Sequence, residues 1–378
     1  MTGDVLPEAI AKRRVPCLIA YLAPFRLVQG DKLEPWQVSL DEVNSQSWDY
    51  VKLHEMAGGI DVGMKKPYHL VVSRDGALAL PPVDGLNKDH VSVEFFNRCL
   101  AGLLIGGVYC EAVSSDGLDL GFILDWKYVR SQRTGHAASN RFHKQIRYRK
   151  ASALDAISLL DPPVVQFSDL DSAMRTGLSV LNQIGRLRGD LLLKGVTGIA
   201  RRDWGAGLSN LWIVVEQVVS HLWETQVIQR AKNDGSPKSR LDQLADNRTW
   251  TAAAKIEVLQ QSGCFGLETF TQLSIARKAR NDLSHEGRTP SQTAAVSAFH
   301  GIKALLKAAI PELPLPLFDL DLGDHSLSDP FAPPKMLSEP KYWMAFPKLP
   351  GEEELERLDA KLRSDFRVRA ESSKPSLG

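Results

Sequence analysis

The sequence predicts an α+β N-terminal part followed by an all-α helical bundle. Three observations carry this. Short β-rich runs punctuated by Gly, Pro and Asp fill residues 15–125, and apolar residues recur at three- and four-residue steps from about 169 to 310. The composition, 43% hydrophobic and 24% charged, is that of a chain able to bury ordinary cores, and 378 residues leave room for two. The expected layout is an α+β regulatory or sensor domain over 1–126 and a basic linker over 127–168. A helical bundle over 169–310 and a proline-rich, charged tail over 311–378 complete it.

The elements follow in order. CLIAYL (17–22), WQVSL (36–40), YVKLHEM (50–56), YHLVVS (68–73) and ALAL (77–80) have the β-branched, aromatic and alternating character of strands. Val91, Phe95, Phe96, Leu100, Leu103 and Leu104 then fall on one helical face, and Gly106-Gly107 supplies a stop. VYCEAV (108–113) and LGFILDW (120–126) are read as two more strands, with Ser-Ser-Asp-Gly as their hairpin turn. One helix on a small, mostly antiparallel sheet is the expectation for this part.

Beyond 168, helices are expected over 169–193, 208–228, 238–246, 249–262, 266–287 and 289–310. The second is the clearest: Leu208, Leu211, Trp212, Val215, Val218, Val219, Leu222 and Trp223 make one apolar stripe. Gly287 ends the fifth, while Thr289 and Pro290 suit the N-cap and first turn of the last. Short loops between them describe a bundle. Nine of the 21 prolines fall between 311 and 350, followed by EEELERLDAKLRSDFRVRA. That end reads as a proline-rich wrap, a short amphipathic helix and a disordered terminus.

Composition also excludes. Net charge is +1, so any nucleic-acid contact must come from local clustering. The first residues lack a secretory pattern, and the apolar run Leu100–Tyr109 is too short to span a bilayer, so a cytoplasmic protein without membrane contact is expected. Cys17, Cys99, Cys110 and Cys264 form neither a C-x-x-C pair nor a zinc spacing, so no metal and no cofactor are expected and the thiols read as reduced. Dinucleotide, P-loop, nucleophile-elbow and zincin patterns are absent.

Two segments carry candidate chemistry. Residues 127–150 hold eight Lys/Arg and no acid, with Tyr128, Phe142 and Tyr148 interleaved. Cations neutralise phosphates and rings stack on bases, so Arg141, Lys144, Arg147 and Arg149 are candidate RNA contacts; a solvated linker is the alternative. The second segment is RKARNDLSHEGRTP (277–290). On a helix Asn281 and His285 share a face, Arg280 lies beside Asn281, and Arg280 and His285 stand about 140° apart. They converge only if the helix loosens toward Gly287 or if a second subunit supplies partner groups. These residue types suit RNA cleavage without metal, in which the ribose 2′-hydroxyl attacks its own 3′ phosphate. Histidine, with an ordinary pKa near 6.5, suits proton transfer, and a guanidinium stabilises the crowded phosphate. One histidine does not readily serve as acid and base in one step, but two copies across a twofold axis do. The plainer alternative is a surface Arg280–Asp282 pair and a His285 helix cap.

LSNLWIVVEQVVSHL (208–222), followed some fifty positions later by ARNDLSHEG, resembles a HEPN domain, in particular its ApeA-like branch. The likeness covers about 169–310 and makes the expected bundle HEPN-like. It implies a homodimeric endoribonuclease with Arg280 and His285 catalytic, Asn281 assisting, and Glu216 orienting Arg280 from a neighbouring helix. It also implies an RNA substrate, with tRNA a candidate, and a bacterial toxin or anti-phage (abortive-infection) role. There the N-terminal domain would sense a phage trigger, or a silencing partner would hold the nuclease off. The alternative is a catalytically silent HEPN-like module that binds nucleotide, RNA or protein partners.

Overall fold

The computed structural model describes residues 14–323, apart from 84, 87, 88, 134, 138, 139 and 313–315, together with 351 and 353–361. The N-terminal start, most of the proline-rich wrap and the expected disordered end lie outside the described residues. Residues 353–361 form an exposed helix in a unit of their own (328–378), where the short amphipathic helix is expected.

Six strands build the front of the chain: β1 Val15–Tyr21, β3 Met56–Ile60, β4 Leu70–Ser73, β5 Ala77–Leu80, β6 Asp119–Leu124 and β7 Tyr128–Arg133. They pair antiparallel in the order β3-β4-β5-β1-β6-β7. The sheet curls until its outer strands meet. Glu55 bridges Tyr128, Met56 N–H donates to the Lys127 carbonyl (2.7 Å) and Val129 N–H to that of His54 (2.8 Å). Closure satisfies the edge groups that an open sheet would leave unpaired. Alternation sorts the side chains: Cys17, Ile19, Tyr21, Val71, Ala77, Ala79, Ile123 and Val129 form the core of the barrel. Leu18, Ala20, Leu22, Leu70, Val72, Leu78 and Leu80 face the larger core outside it.

Around the barrel lie β2 Leu27–Gln29, paired parallel with β8 Val164–Gln166, and four helices. These are α1 Leu40–Asn44, α2 Tyr50–Leu53, α3 Asp89–Ile105 and α4 Arg141–Arg147; α5 Ala153–Ala156 follows. A capping box between Ser39 and Glu42 starts α1. Three sequence expectations fail here. WQVSL is loop and helix, with Trp36 Nε1 donating to the Leu159 carbonyl (2.8 Å). YVKLHEM is α2 running into β3. VYCEAV joins no ladder, because its amides are taken one by one. Glu111 N–H goes to Ala23 O, Ala112 N–H to Thr197 Oγ1 and Val113 N–H to Asn97 Oδ1.

The helical part holds α6 Phe167–Gln183, α7 Gly189–Ala200, α8 Trp204–Trp223, α9 Gln229–Asn233 after a π turn, α10 Lys238–Ala245, α11 Ala252–Gln261, α12 Leu267–Glu286 and α13 Gln292–Ala309. The segment expected as one helix over 169–193 breaks at Ile184–Arg188. The last helix is capped by Ser291, whose hydroxyl accepts from Ala294 N–H, rather than by Thr289. The expected boundary between front and back is not one in packing. Helix α3 lies against α6 and α7, and one core runs from Leu18 to Leu322. At the seam a Cβ on Gly177 would overlap the Gly102 carbonyl, and one on Gly106 would overlap the backbone of Ala173. Only glycine permits so close a helix approach.

The stretch 127–150 is not a linker. It supplies β7 and α4, and α4 drives Arg147 into the barrel, where it is fully buried. Its guanidinium forks onto Asp75, with Nε on Oδ2 and Nη2 on Oδ1 at 2.7 Å, and also reaches Ser73 Oγ (3.0 Å) and Val129 O (3.1 Å). Burial alone would raise Asp75, but the Arg147 charge and hydrogen bonds hold it down at about 2. His54 and His143, buried beside the pair, are pushed down to about 4, chiefly by burial.

Two outcomes follow for stability. The folded chain keeps both histidines neutral down to about pH 4, while the unfolded chain binds protons from about 6.5. Their contribution is therefore complete above pH 6.5 and is lost as pH falls toward 4. Urea unfolding should give about 2 kcal/mol less stability per histidine at pH 5 than at pH 7. Asp75→Asn should cost about 3–5 kcal/mol at neutral pH in the same assay, because it strands a buried guanidinium.

Candidate functional site

Helices α8, α11 and α12 pack on one another around an open groove of about 590 Å³. Helix α8 contributes Trp212 and Glu216, and α11 contributes its first turn, Thr251–Ala253. From α12 come Arg277, Lys278, Arg280 and Asn281 among others. The local sequence explains the placement. The apolar stripe of α8 buries Leu208, Leu211, Val215 and Val219, which leaves Glu216 half-buried at the stripe's edge. Helix α12 buries Thr269, Leu273 and Ala276, so its cations stand on the flank toward solvent.

Trp212 is buried, and its Nε1–H donates to Glu216 Oε1 at 2.7 Å. The carboxylate is thus fixed by the indole and makes no direct bond to Arg280. Arg280 Nη1 instead donates to Asn281 Oδ1 at 3.3 Å. Three cations (Arg277, Lys278, Arg280) face two carboxylates (Glu216, Asp282) around the groove, and the first-turn amides of α11, which lack partners within their helix, add positive potential. An anionic oxygen is the natural guest of such a wall.

His285 lies apart. It is exposed in the last turn of α12 and does not line the groove. The helix does not loosen before it ends: Gly287 takes the left-handed conformation (φ 67°, ψ 16°), with its N–H on Leu283 O and that of Arg288 on Asp282 O. The separation of about 140° between Arg280 and His285 therefore stands within one chain. Arg280, Asn281 and Glu216 come together; His285 does not join them.

The four candidate RNA contacts scatter. Arg147 is inside the barrel and cannot meet solvent, which corrects the expectation for that residue. Lys144 is largely buried and pairs with Asp119 (3.5 Å). Arg149 is half-buried, with its guanidinium 4.6 Å from the centre of the Tyr50 ring. Of the four, Arg141 alone is exposed. Trp212 and Trp223 are core residues, as expected; Trp223 packs on Trp250 and donates to Leu244 O. Cys17, Cys99 and Cys110 are buried free thiols, and burial pushes each up to about 12. No helix among the described residues is long and apolar enough to cross a membrane.

Sequence reasoning missed two parts of the groove. The α11 N-terminus was readable as a helix start from Thr251, but its approach to α12 is tertiary. The Trp212–Glu216 bond is an i,i+4 contact that the spacing allows without requiring.

Comparison with protein-family models, with curated proteins and with solved structures finds no match to this chain.

Trp212→Phe should lower stability by about 1–2 kcal/mol in urea unfolding, because the half-buried Glu216 loses its donor. Glu216→Gln, which keeps an acceptor for the indole, should cost less than half of that.

Proposed function

We propose that this chain is a metal-independent endoribonuclease of HEPN type that works as a homodimer. The observation that carries the reading is the groove in which Arg280, Asn281 and Glu216 converge beside a helix N-terminus. The resemblance of 208–222 and 279–287 to HEPN segments agrees with it, since those segments belong to two of the three helices that line the groove.

In this reading RNA lies along the groove with a phosphate against Arg280. The guanidinium offers two donors to the non-bridging oxygens and binds more strongly as charge builds on phosphorus. Asn281 orients the guanidinium that it already accepts from. One histidine removes the proton of the 2′-hydroxyl, whose oxygen attacks phosphorus. A second protonates the departing 5′ oxygen, leaving a 2′,3′-cyclic phosphate and a 5′-hydroxyl. Since His285 faces away from Arg280 in its own chain, the two imidazoles come from two chains across a twofold axis. The biological setting that goes with this reading is a bacterial toxin or anti-phage effector, with the barrel domain sensing a trigger.

The exposed position of His285 outside the groove favours a second reading, a catalytically silent module that binds RNA or a protein partner. One assay separates them: purified protein with total RNA and tRNA in EDTA, wild type beside Arg280→Ala and His285→Ala. The ribonuclease reading expects cyclic-phosphate ends from wild type and at least a hundredfold less from either variant, with unchanged melting. No cleavage by wild type, in the presence or absence of phage lysate, would move the silent module ahead. Mixing wild type and His285→Ala in equal amounts, with subunit exchange, should leave about one quarter of the activity if each site needs both histidines. Independent chains would retain about one half.

A further inference from the structure

With Arg147, His143 and Lys144 turned inward or paired, the basic stretch leaves a different set of side chains on the outside of the barrel. On β6, Leu120, Phe122 and Leu124 point away from the interior, and Leu120 is 46% exposed. On β7, Tyr128 and Arg130 do the same, and the register sets Phe122 opposite Arg130 and Leu124 opposite Tyr128. Each of the two rings carries a guanidinium. Arg14 stands 3.7 Å above the Phe122 ring centre and Arg130 5.8 Å from that of Tyr128. Tyr148, 41% exposed, is tied to β7 by its hydroxyl, which donates to Ser131 O (3.1 Å).

We infer that this outer face of β6 and β7 is a docking surface for single-stranded nucleic acid. The argument is charge and shape together. Phe122 and Tyr128 are diagonal neighbours across the ladder, about 7–8 Å apart, so a strand crossing the face meets the Arg14 guanidinium seated on Phe122 and then the Tyr128 ring. Unpaired bases stack on such rings and equally on guanidinium planes, while the same arginines neutralise the backbone phosphates. Arg14 beside β1 adds a cation on one side of the ring pair, and on the other Lys127 shares the β6–β7 turn with the exposed Asp125. A duplex hides its base faces and has no use for the rings. The partner class is the one that the ribonuclease reading needs as substrate, yet the surface lies on the barrel and binds without any step at the groove.

The test uses the full chain and a labelled strand of about 12 nucleotides carrying 2′-O-methyl riboses, which have no hydroxyl to attack, so binding is read apart from cleavage. Fluorescence anisotropy should show binding that weakens with salt at a log–log slope of about −2 for three neutralised phosphates, and at least tenfold weaker binding to the matching duplex. Phe122→Ala with Tyr128→Ala should lower affinity at least tenfold with an unchanged melting temperature. Phe122→Tyr should retain it, and Arg14→Glu with Arg130→Glu should abolish it. Wild-type affinity in the double alanine variant, or equal affinity for the duplex, would overturn the inference. Loss of binding in these variants, in a protein that cuts no RNA, would sustain this surface while removing the ribonuclease reading.

Discussion

The fork between Arg147 and Asp75 is the constraint on which the front of the molecule is built. Burying a guanidinium is costly unless its donors are met and its charge is opposed, and here the barrel meets both demands. Asp75 and Ser73 come from the end of β4 and the turn after it, Val129 O from β7, and the Tyr21 ring from β1 lies 5.2 Å from the guanidinium carbon. One side chain from α4 thus gathers three strands. Below it a second node repeats the device at smaller scale: Asp119 takes bonds from Tyr21, Ser131 and the Gly135 amide, with Lys144 alongside. These nodes fix how β6 and β7 lie and therefore which of their side chains reach solvent.

Periodicity was informative where burial has one side. The stripe of α8 and the face of α3 could be read from spacing alone, because each meets its core along a single line. The short apolar runs ending in Leu22 and Leu80 were equally plain. What escaped was the segment whose charges point inward. A run of eight cations without an acid reads as solvated, since nothing nearby in sequence can neutralise it. Its neutralising partners, Asp75 and Asp119, lie 72 residues away from Arg147 and 25 from Lys144. VYCEAV escaped for the opposite reason. Its residues are buried or half-buried like those of a strand, yet Thr197 and Asn97 side chains take amides that a neighbouring strand would otherwise hold.

The groove was half legible. Arg280 and Asn281 on a late helix were singled out by residue type and spacing, Glu216 on the clearest helix by the resemblance to a HEPN domain, and the fold brings them to one place. The first turn of α11 and the indole that holds Glu216 depend on how three helices lean together. No local pattern records that. The angle between Arg280 and His285 is the counterpart: spacing gave the difficulty correctly, and the regular end of α12 at Gly287 leaves it intact.

The glycine seam between α3 and α6 bears on how the chain comes apart. With Gly102 against Gly177 and Gly106 against Ala173, the two backbones touch with no side chain between them to yield or repack. Barrel and bundle share apolar area on both sides of that line, so severing them would bare one wall of each. Barrel and bundle are therefore expected to melt as one body. A lesion in either, however far from the groove, draws on the same reserve of free energy that keeps the groove assembled.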